Sequence, residues 1–402
     1  MIEAIFLLTG IIIFIGFFAM LFFERTKIPD ILILMFLGLV LGSILNESQV
    51  SLFNSIAPYV GAIAFMMILF DGGLNLNLFK VIKELSDSTI FMLTSFTLST
   101  VMVTALVHYV FGWEILHGLL LGAVVGGTSS AIVVSTVSKI SVRDSTRILL
   151  TLESAVTDAL CIVVSLAIIE IILFNQVSVR DSLNMVTGTF SIAIVIALVV
   201  AVIWIGILKN FHGKPFGYLL TVAVIFIMYS VVEYIKGNGA ISVLVFGMIV
   251  GNARNLAKYM RLEDQLNVDT KIKAFQKEVA FFIRTFFFVY IGIIFNVKEF
   301  NAKLAATTIL VWGIILLARL ISVKIITLKN KTLKCDETIL LTMLPRGLAA
   351  AVLASIPLSK GIGIESFSQI VFLMIILTNI TATVGTLLYE RKKCDVEENG
   401  EN

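Results

Sequence analysis

The chain is a succession of long apolar segments separated by short polar ones. A helix that spans a bilayer needs about 20 mostly apolar residues, and these segments have that length. None shows the alternation of apolar and polar residues that is typical of membrane β-barrel strands. We therefore predict an all-α membrane protein with about thirteen transmembrane helices. Their approximate ranges are 2–23, 28–45, 56–74, 88–111, 115–138, 147–173, 184–208, 215–235, 238–253, 275–295, 303–326, 336–357 and 366–389.

The Lys and Arg residues of the connecting loops support this division. When the loops are taken alternately, one set carries 22 basic residues and the other carries 5. A miscounted segment would have mixed the two sets. Because cytoplasmic loops are enriched in Lys and Arg, we predict an N-terminus outside the cell and a C-terminus in the cytoplasm.

The composition fits a membrane protein and excludes several functional classes. Of the 402 residues, 58% are hydrophobic and 14% are charged, and the mean hydropathy is +1.03. The net charge of +3 gives no reason to expect nucleic-acid binding. Cys161, Cys335 and Cys394 lack metal-ligand spacing. Because no phosphate-binding loop, zinc motif or nucleophile triad is recognisable, we expect neither an enzyme nor a cofactor.

Charged residues inside the predicted spans are the first candidates for function, because a charge near the bilayer centre is expensive unless it is paired or hydrated. Glu153 and Asp158 are five residues apart, about 140° around a helix, so they should face different surroundings. One could pair within the protein while the other faces a water-filled cavity; the alternative for each is a structural ion pair. The charged residues inside spans are Asp71, Glu153, Asp158, Arg284, Arg319 and Arg346. Glu170, Glu233 and Glu278 lie near segment ends, where we expect them to reach water.

Two segments contain helix-breaking residues. Segment five carries Gly126-Gly127-Thr128-Ser129-Ser130, and segment twelve carries Leu344-Pro345-Arg346-Gly347. A broken helix frees backbone groups that lipid cannot satisfy, so they must line a polar cavity. Freed carbonyls and the hydroxyls of Thr128, Ser129 and Ser130 would form an oxygen-rich site for a small cation. Paired interruptions in corresponding segments indicate a transporter binding site.

Glycine spacing predicts an inverted-topology repeat. Gly38 and Gly42 in segment two match Gly247 and Gly251 in segment nine, and segments three and ten share a Gly four residues before an Asn. The repeats would cover about 2–173 and 215–389, joined by a linker helix at about 184–208. Together they would form one transmembrane domain over 1–390, followed by a short cytoplasmic tail at 391–402. The alternative is that these glycines only allow close helix packing.

Four motifs together resemble the monovalent cation/proton antiporters, especially archaeal and bacterial sodium/proton exchangers, over about residues 5–390. The motifs are Leu69-Phe70-Asp71-Gly72-Gly73, Gly126-Gly127-Thr128-Ser129-Ser130, Glu153-Ser154-Ala155-Val156-Thr157-Asp158 and Leu344-Pro345-Arg346-Gly347-Leu348. There are two departures. Thr157 stands where the family has Asn, and Thr128-Ser129-Ser130 stands where it has Thr-Asp-Pro.

The resemblance implies that Asp158 binds a cation and a proton in competition. It also implies that Glu153 pairs with a buried arginine of segment eleven. Arg319 fits that position, and Arg284 and Arg346 are rival partners. The implied metal ligands for the transported cation are Asp158, Thr128 and Ser154, and the wider cation/proton site adds Thr157, Ser129 and Asp71.

The expected function is antiport of Na⁺ for protons. Because electrogenic relatives have two adjacent aspartates where this chain has Thr157-Asp158, the exchange is expected to be electroneutral. A potassium/proton antiporter of the same fold and a gated cation channel are the alternatives. We expect a multi-pass homodimer in the cytoplasmic membrane of a prokaryote, with lipid and small cations as partners and no nucleic acid.

Overall fold

The computed structural model describes residues 2–26, 28–44, 47–75, 87–174, 179–210, 217–253, 270–295 and 300–400. Within these ranges the chain is helical and no strand occurs, which confirms the prediction of an all-α protein. The helices are α1 (Ile2–Thr26), α2 (Asp30–Ile44), α3 (Glu47–Asn75), α4 (Asp87–Phe111), α5 (Ile115–Gly126), α6 (Ser130–Val137), α7 (Asp144–Phe174), α8 (Val179–Asn210), α9 (Gly217–Tyr234), α10 (Gly239–Gly251), α11 (Thr270–Ile294), α12 (Ala302–Lys329), a 3-10 helix (Lys331–Asp336), α13 (Glu337–Thr342), α14 (Leu348–Ser359) and α15 (Phe367–Gly400).

The helices are those of a multi-pass membrane protein. Among the described residues, six helices are long and apolar enough to cross a membrane, and seven shorter apolar helices accompany them. Every predicted segment overlaps one of these helices, while the number of membrane crossings stays a prediction. Helix α15 continues to Gly400, so the described part of the predicted tail extends the last helix.

The chain divides into two compact units. The first consists of Met1–Pro58, Leu85–Ile168 and Thr285–Asn402. Within it, α4 packs against α5 and α12, and α12 also packs against α13 and α15. Helix α14 packs against α5 and α15. Both predicted interruptions and the Glu153–Asp158 motif belong to this first unit.

The second unit consists of Tyr59–Glu84 and Ile169–Arg284, and its helices α8, α9 and α10 pack against one another. Among the described residues of this unit, the acid Glu170 is buried, with 9% exposure. The Thr189 hydroxyl donates to Glu170 Oε2 at 2.5 Å, and the Asn238 amide donates to Glu170 Oε1 at 2.5 Å. The expectation that Glu170 reaches water is therefore wrong. Neighbouring side chains satisfy it inside the unit.

Glycines bring two helix pairs into backbone contact. In the first unit a Cβ on Gly38 would lie 2.7 Å from the Cα of Gly292, which joins α2 closely to α11. In the second unit a Cβ on Gly73 would lie 3.0 Å from the carbonyl carbon of Gly247, which joins α3 to α10. Under the predicted repeat α2 corresponds to α10 and α3 to α11, so each unit contains the same contact. Close packing alone also requires these glycines, and the repeat stays a prediction.

Candidate cation site

Two helix interruptions meet in the first unit. Between α5 and α6 the backbone is extended at Gly127 (φ −95°, ψ 169°) and at Ser129 (φ −75°, ψ 114°). The second interruption separates α13 from α14. The Ser129 N–H donates to the Pro345 carbonyl at 2.8 Å, so the interruptions are in direct contact. A Cβ on Gly347 would come within 2.7 Å of the Ser129 Cβ, so this approach depends on glycine.

One face of α7 holds the first interruption in place. Glu153, Thr157 and Cys161 follow one another at intervals of four residues and therefore share a face. Cys161 Sγ accepts from the Gly127 N–H at 3.1 Å, and Thr157 Oγ1 accepts from the Thr128 N–H at 3.2 Å. The Thr128 hydroxyl donates to Glu153 Oε2 at 3.0 Å. These side chains satisfy backbone amides that the interruption freed. Cys161 has no metal-ligand spacing, and the signal for its role is the interval of four residues from Thr157 and eight from Glu153.

Asp158 lies on a neighbouring face of α7, one turn after Ser154. It is half-buried, and its Oδ2 accepts from the Ser130 hydroxyl at 2.9 Å and from the Ser130 N–H at 3.4 Å. Ser130 is the first residue of α6, so the carboxylate stands at the end of a helix where negative charge is favoured. Ser154 is fully buried, and its hydroxyl donates to the Thr151 carbonyl at 3.2 Å.

Glu153 is bound by Arg319 of α12. Both are 1% exposed, and Arg319 Nη1 donates to Glu153 Oε1 at 2.9 Å. The same guanidinium donates to the carbonyls of Leu340 at 2.8 Å and Met343 at 2.9 Å, where α13 ends. It also donates to the Ser95 hydroxyl at 3.2 Å, a contact with no signal in the sequence. The surroundings of Glu153 and Asp158 thus differ, in keeping with the angle between them on the helix.

Arg346 has a comparable position in the second interruption. It is 2% exposed, and its guanidinium donates to the carbonyls of Val125 at 2.6 Å and Leu344 at 2.7 Å. Its own backbone is held by the Thr378 hydroxyl at 3.1 Å and the Asn379 amide at 2.7 Å. The sequence predicts that the freed carbonyls line a cation site. In the structure several of these carbonyls accept hydrogen bonds from Arg319 or Arg346 instead. Side-chain oxygens are therefore the main candidate ligands for a cation.

Two predicted site residues belong to the second unit. Asp71 lies on α3, where its Oδ1 accepts from Asn75 Nδ2 at 3.0 Å. Arg284, one of the rival partners for Glu153, lies on α11. The structure gathers the remaining predicted residues in the first unit, namely Thr128, Ser129, Glu153, Ser154, Thr157, Asp158, Arg319 and Arg346.

The family is decided by a comparison of the whole sequence. The profile described as "Sodium/hydrogen exchanger, transmembrane" matches residues 10–389. The chain belongs to this family. The resemblance to cation/proton antiporters rested on four short motifs. The family match confirms it over nearly the whole length of the chain.

Individual relatives and a solved structure agree with the family. A Methanocaldococcus jannaschii protein named "Probable Na(+)/H(+) antiporter 2" is 26% identical over 369 residues, covering 86% of this chain and 85% of the relative. The "K(+)/H(+) antiporter NhaP" of Alkalimonas amylolytica is 24% identical, covering 62% of this chain and 44% of the relative. The solved structure of a sodium proton antiporter from M. jannaschii superimposes with a TM-score of 0.72 at 22% identity, covering 96% of both chains. This last likeness establishes the fold.

Proposed function

We propose that this family member is a secondary antiporter that exchanges a monovalent cation, with Na⁺ favoured, for protons. The observation that carries the proposal is the position of Asp158. Its carboxylate is half-buried at the start of α6 and accepts a hydrogen bond from Ser130, a neutral group that a proton or a cation can replace. Glu153 on the same helix is already engaged by Arg319 and Thr128.

Competition at Asp158 accounts for coupling. A bare carboxylate is costly to move across a low-dielectric barrier, whereas one that carries a proton or a cation is neutral. The loaded site therefore changes sides readily and the empty site does not. Since one carboxylate holds either one proton or one monovalent cation, a full cycle moves no net charge. Thr128 and Ser154 would supply further oxygen ligands, and the role expected of Asp71 is to attract cation.

The remaining assignments follow from this proposal and from the family. We place the protein in the cytoplasmic membrane of a prokaryote, as a homodimer with its N-terminus outside. Access to the site would alternate as one group of helices moves against another, as in transporters built from inverted repeats.

Potassium is the second candidate substrate. Several relatives are named as K⁺/H⁺ antiporters, and Thr157 offers a hydroxyl where the antiporter motif has the amide of Asn. Both readings share the chemistry at Asp158 and differ in the size of the cation. A gated cation channel is the alternative of another class, and it would pass cation without proton movement.

The test is proton flux in liposomes that hold a pH gradient and an entrapped pH dye. Addition of Na⁺ should dissipate the gradient for the wild type, and Asp158→Asn should abolish this response while the protein still elutes as a folded species. Asp144→Asn is the matched control, because Asp144 begins the same helix with its side chain 89% exposed. It should exchange at the wild-type rate.

Two further arms of the assay decide the finer points. Parallel additions of Li⁺, Na⁺ and K⁺ rank the substrates. An imposed membrane voltage should leave the exchange rate unchanged, and a voltage-dependent rate would refute electroneutrality and implicate Asp71 as a second carrier. Wild-type activity in Asp158→Asn vesicles would contradict the central role of Asp158, and cation flux without proton flux would identify a channel.

A further inference from the structure

The three hydroxyl residues of the first interruption have different partners. Thr128 donates to Glu153, and the Ser129 side chain lies against Gly347. Ser130 donates to Asp158 Oδ2 at 2.9 Å, and its N–H approaches the same oxygen at 3.4 Å. The sequence presents these hydroxyls as one oxygen-rich group, but in the structure it is Ser130 that touches the carboxylate proposed to carry the load.

A hydroxyl at this place can serve both states of the carboxylate. It has one proton to donate and two lone pairs to offer, and it rotates to suit its partner. We propose that Ser130 is a specificity-determining residue of the exchange site: its hydroxyl stabilises the empty Asp158 carboxylate and becomes a ligand when a cation takes the place of that hydrogen bond. This inference rests on the proposed function and adds a residue that sets the balance between its two substrates.

The Ser130 hydroxyl affects proton binding and cation binding at Asp158 in opposite directions. A protonated Asp158 has no need of a hydrogen-bond donor, so the Ser130 hydroxyl opposes protonation by stabilising the charged form. A bound cation gains an oxygen ligand from the same group, and oxygen is the ligand that hard cations prefer. Removing the hydroxyl should therefore strengthen proton binding to Asp158 and weaken cation binding to the same carboxylate.

The other charged and titratable groups of the first unit near this carboxylate stay in place in such a variant. Glu153 and Cys161 lie on α7 itself, Arg346 belongs to the second interruption, and Arg319 lies on α12. None of these four bonds to Ser130 in the hydrogen bonds described above. A change at Ser130 thus removes one hydrogen-bond partner of Asp158 and leaves these four groups unchanged.

The chain offers a graded set of variants. Ser130→Thr keeps the hydroxyl, Ser130→Ala removes it, and Ser130→Pro removes both the hydroxyl and the N–H. Proline is tolerated at the first position of a helix, and the extended backbone of Ser129 suits a residue that precedes proline. Ser135→Ala is the matched control, because the Ser135 hydroxyl lies on the same helix and donates to the carbonyls of Ala131 and Ile132.

The experiment measures three quantities in liposomes: the Na⁺ concentration for half-maximal rate, the pH midpoint of exchange, and the turnover at saturating Na⁺. For Ser130→Ala we expect the Na⁺ concentration for half-maximal rate to rise about three- to tenfold, the fold-change that corresponds to the net contribution of a typical intramolecular hydrogen bond. The pH midpoint should rise by about half to one unit, because a three- to tenfold change in the proton affinity of Asp158 equals that shift on the pH scale. Turnover at saturating Na⁺ should stay within about twofold of wild type.

The controls make the result decisive. Ser130→Thr and Ser135→Ala should match the wild type, and Ser130→Pro should shift at least as far as Ser130→Ala. If Ser130→Ala and Ser130→Pro keep the wild-type half-saturation and pH midpoint, or lose only turnover, the role proposed for Ser130 is wrong even though exchange is real. If the wild type itself shows no cation-dependent proton flux, the proposed function is wrong and this inference falls with it.

Discussion

Breaking the Glu153–Arg319 pair should be among the most damaging single changes in the first unit. Arg319→Ala would leave the Glu153 carboxylate buried at 1% exposure, and would leave the Leu340 and Met343 carbonyls without their donor. Loss of one partner of a buried ion pair typically costs about 3–5 kcal/mol. We expect Arg319→Ala at the upper end of this range because its guanidinium also lies 4.6 Å from the ring centroid of Phe91.

Glu153→Ala should cost less, at the lower end of the same range. The guanidinium of Arg319 would lose one bond of 2.9 Å but keep its two carbonyl acceptors. The double variant should be less damaged than the sum of the single ones, with a coupling of about 1–3 kcal/mol.

The assay is thermal unfolding of the purified protein in detergent at one fixed heating rate, since the apparent midpoint of an irreversible transition depends on that rate. A second cycle at Lys324 and Glu337 provides the control. This pair also links α12 to the start of α13, but its side chains are 58% and 26% exposed. Exposed pairs contribute about 1 kcal/mol or less, so its coupling should be small.

Strict additivity at Glu153 and Arg319, to within about 0.5 kcal/mol, would refute the reasoning. It would mean that the short contact between them contributes no coupling energy. The energetic partner of Glu153 would then have to be sought at Arg284 or Arg346 by the same cycles. A coupling at the exposed control pair as large as at the buried pair would equally contradict the argument from burial.

Two further predictions address backbone contact and arginine geometry. Gly38→Ala should lower the unfolding temperature, because its Cβ would collide with the backbone of Val289 and Gly292. Gly313→Ala is the control and should not lower it, because a Cβ there meets open space. Equal unfolding temperatures for the two variants would contradict the close contact at Gly38. Arg346→Lys should reduce exchange at least about tenfold although the charge is kept, because one ammonium cannot reproduce the planar fork of a guanidinium; wild-type exchange would show that charge alone suffices.

Much of the fold could be predicted because the bilayer imposes a length and a polarity on every segment. The apolar runs predicted the helices, and the Gly and Pro clusters predicted where two of them are interrupted. These are local signals, written within about 20 residues of the feature they specify. The division into two compact units has no such local signal, since each unit is assembled from distant stretches of chain.

Contacts between distant segments were harder to predict. Helical spacing puts Glu153 and Asp158 on different faces, but it does not say which helix covers each face. Spacing therefore left Arg284, Arg319 and Arg346 as candidates for Glu153, and only the family resemblance favoured Arg319. Ser95 gave no signal of its contact with Arg319. The burial of Glu170 was missed for the same reason. Its position near a segment end suggested access to water, whereas Thr189 and Asn238 reach it from separate helices or loops.

Arg319 and Arg346, the two arginines at the helix interruptions, keep the charge around the site constant over the pH range of exchange. An antiporter works in the pH range where its carrying carboxylate gains and loses protons, and a scaffold of histidines or lysines would gain and lose protons with it. A guanidinium keeps its charge throughout that range. Arg319 and Arg346 hold the ends of α13 and α5 and so provide fixed points of reference. If Asp158 carries the cation and the proton as proposed, its charge changes during exchange while the charges of Arg319 and Arg346 stay constant.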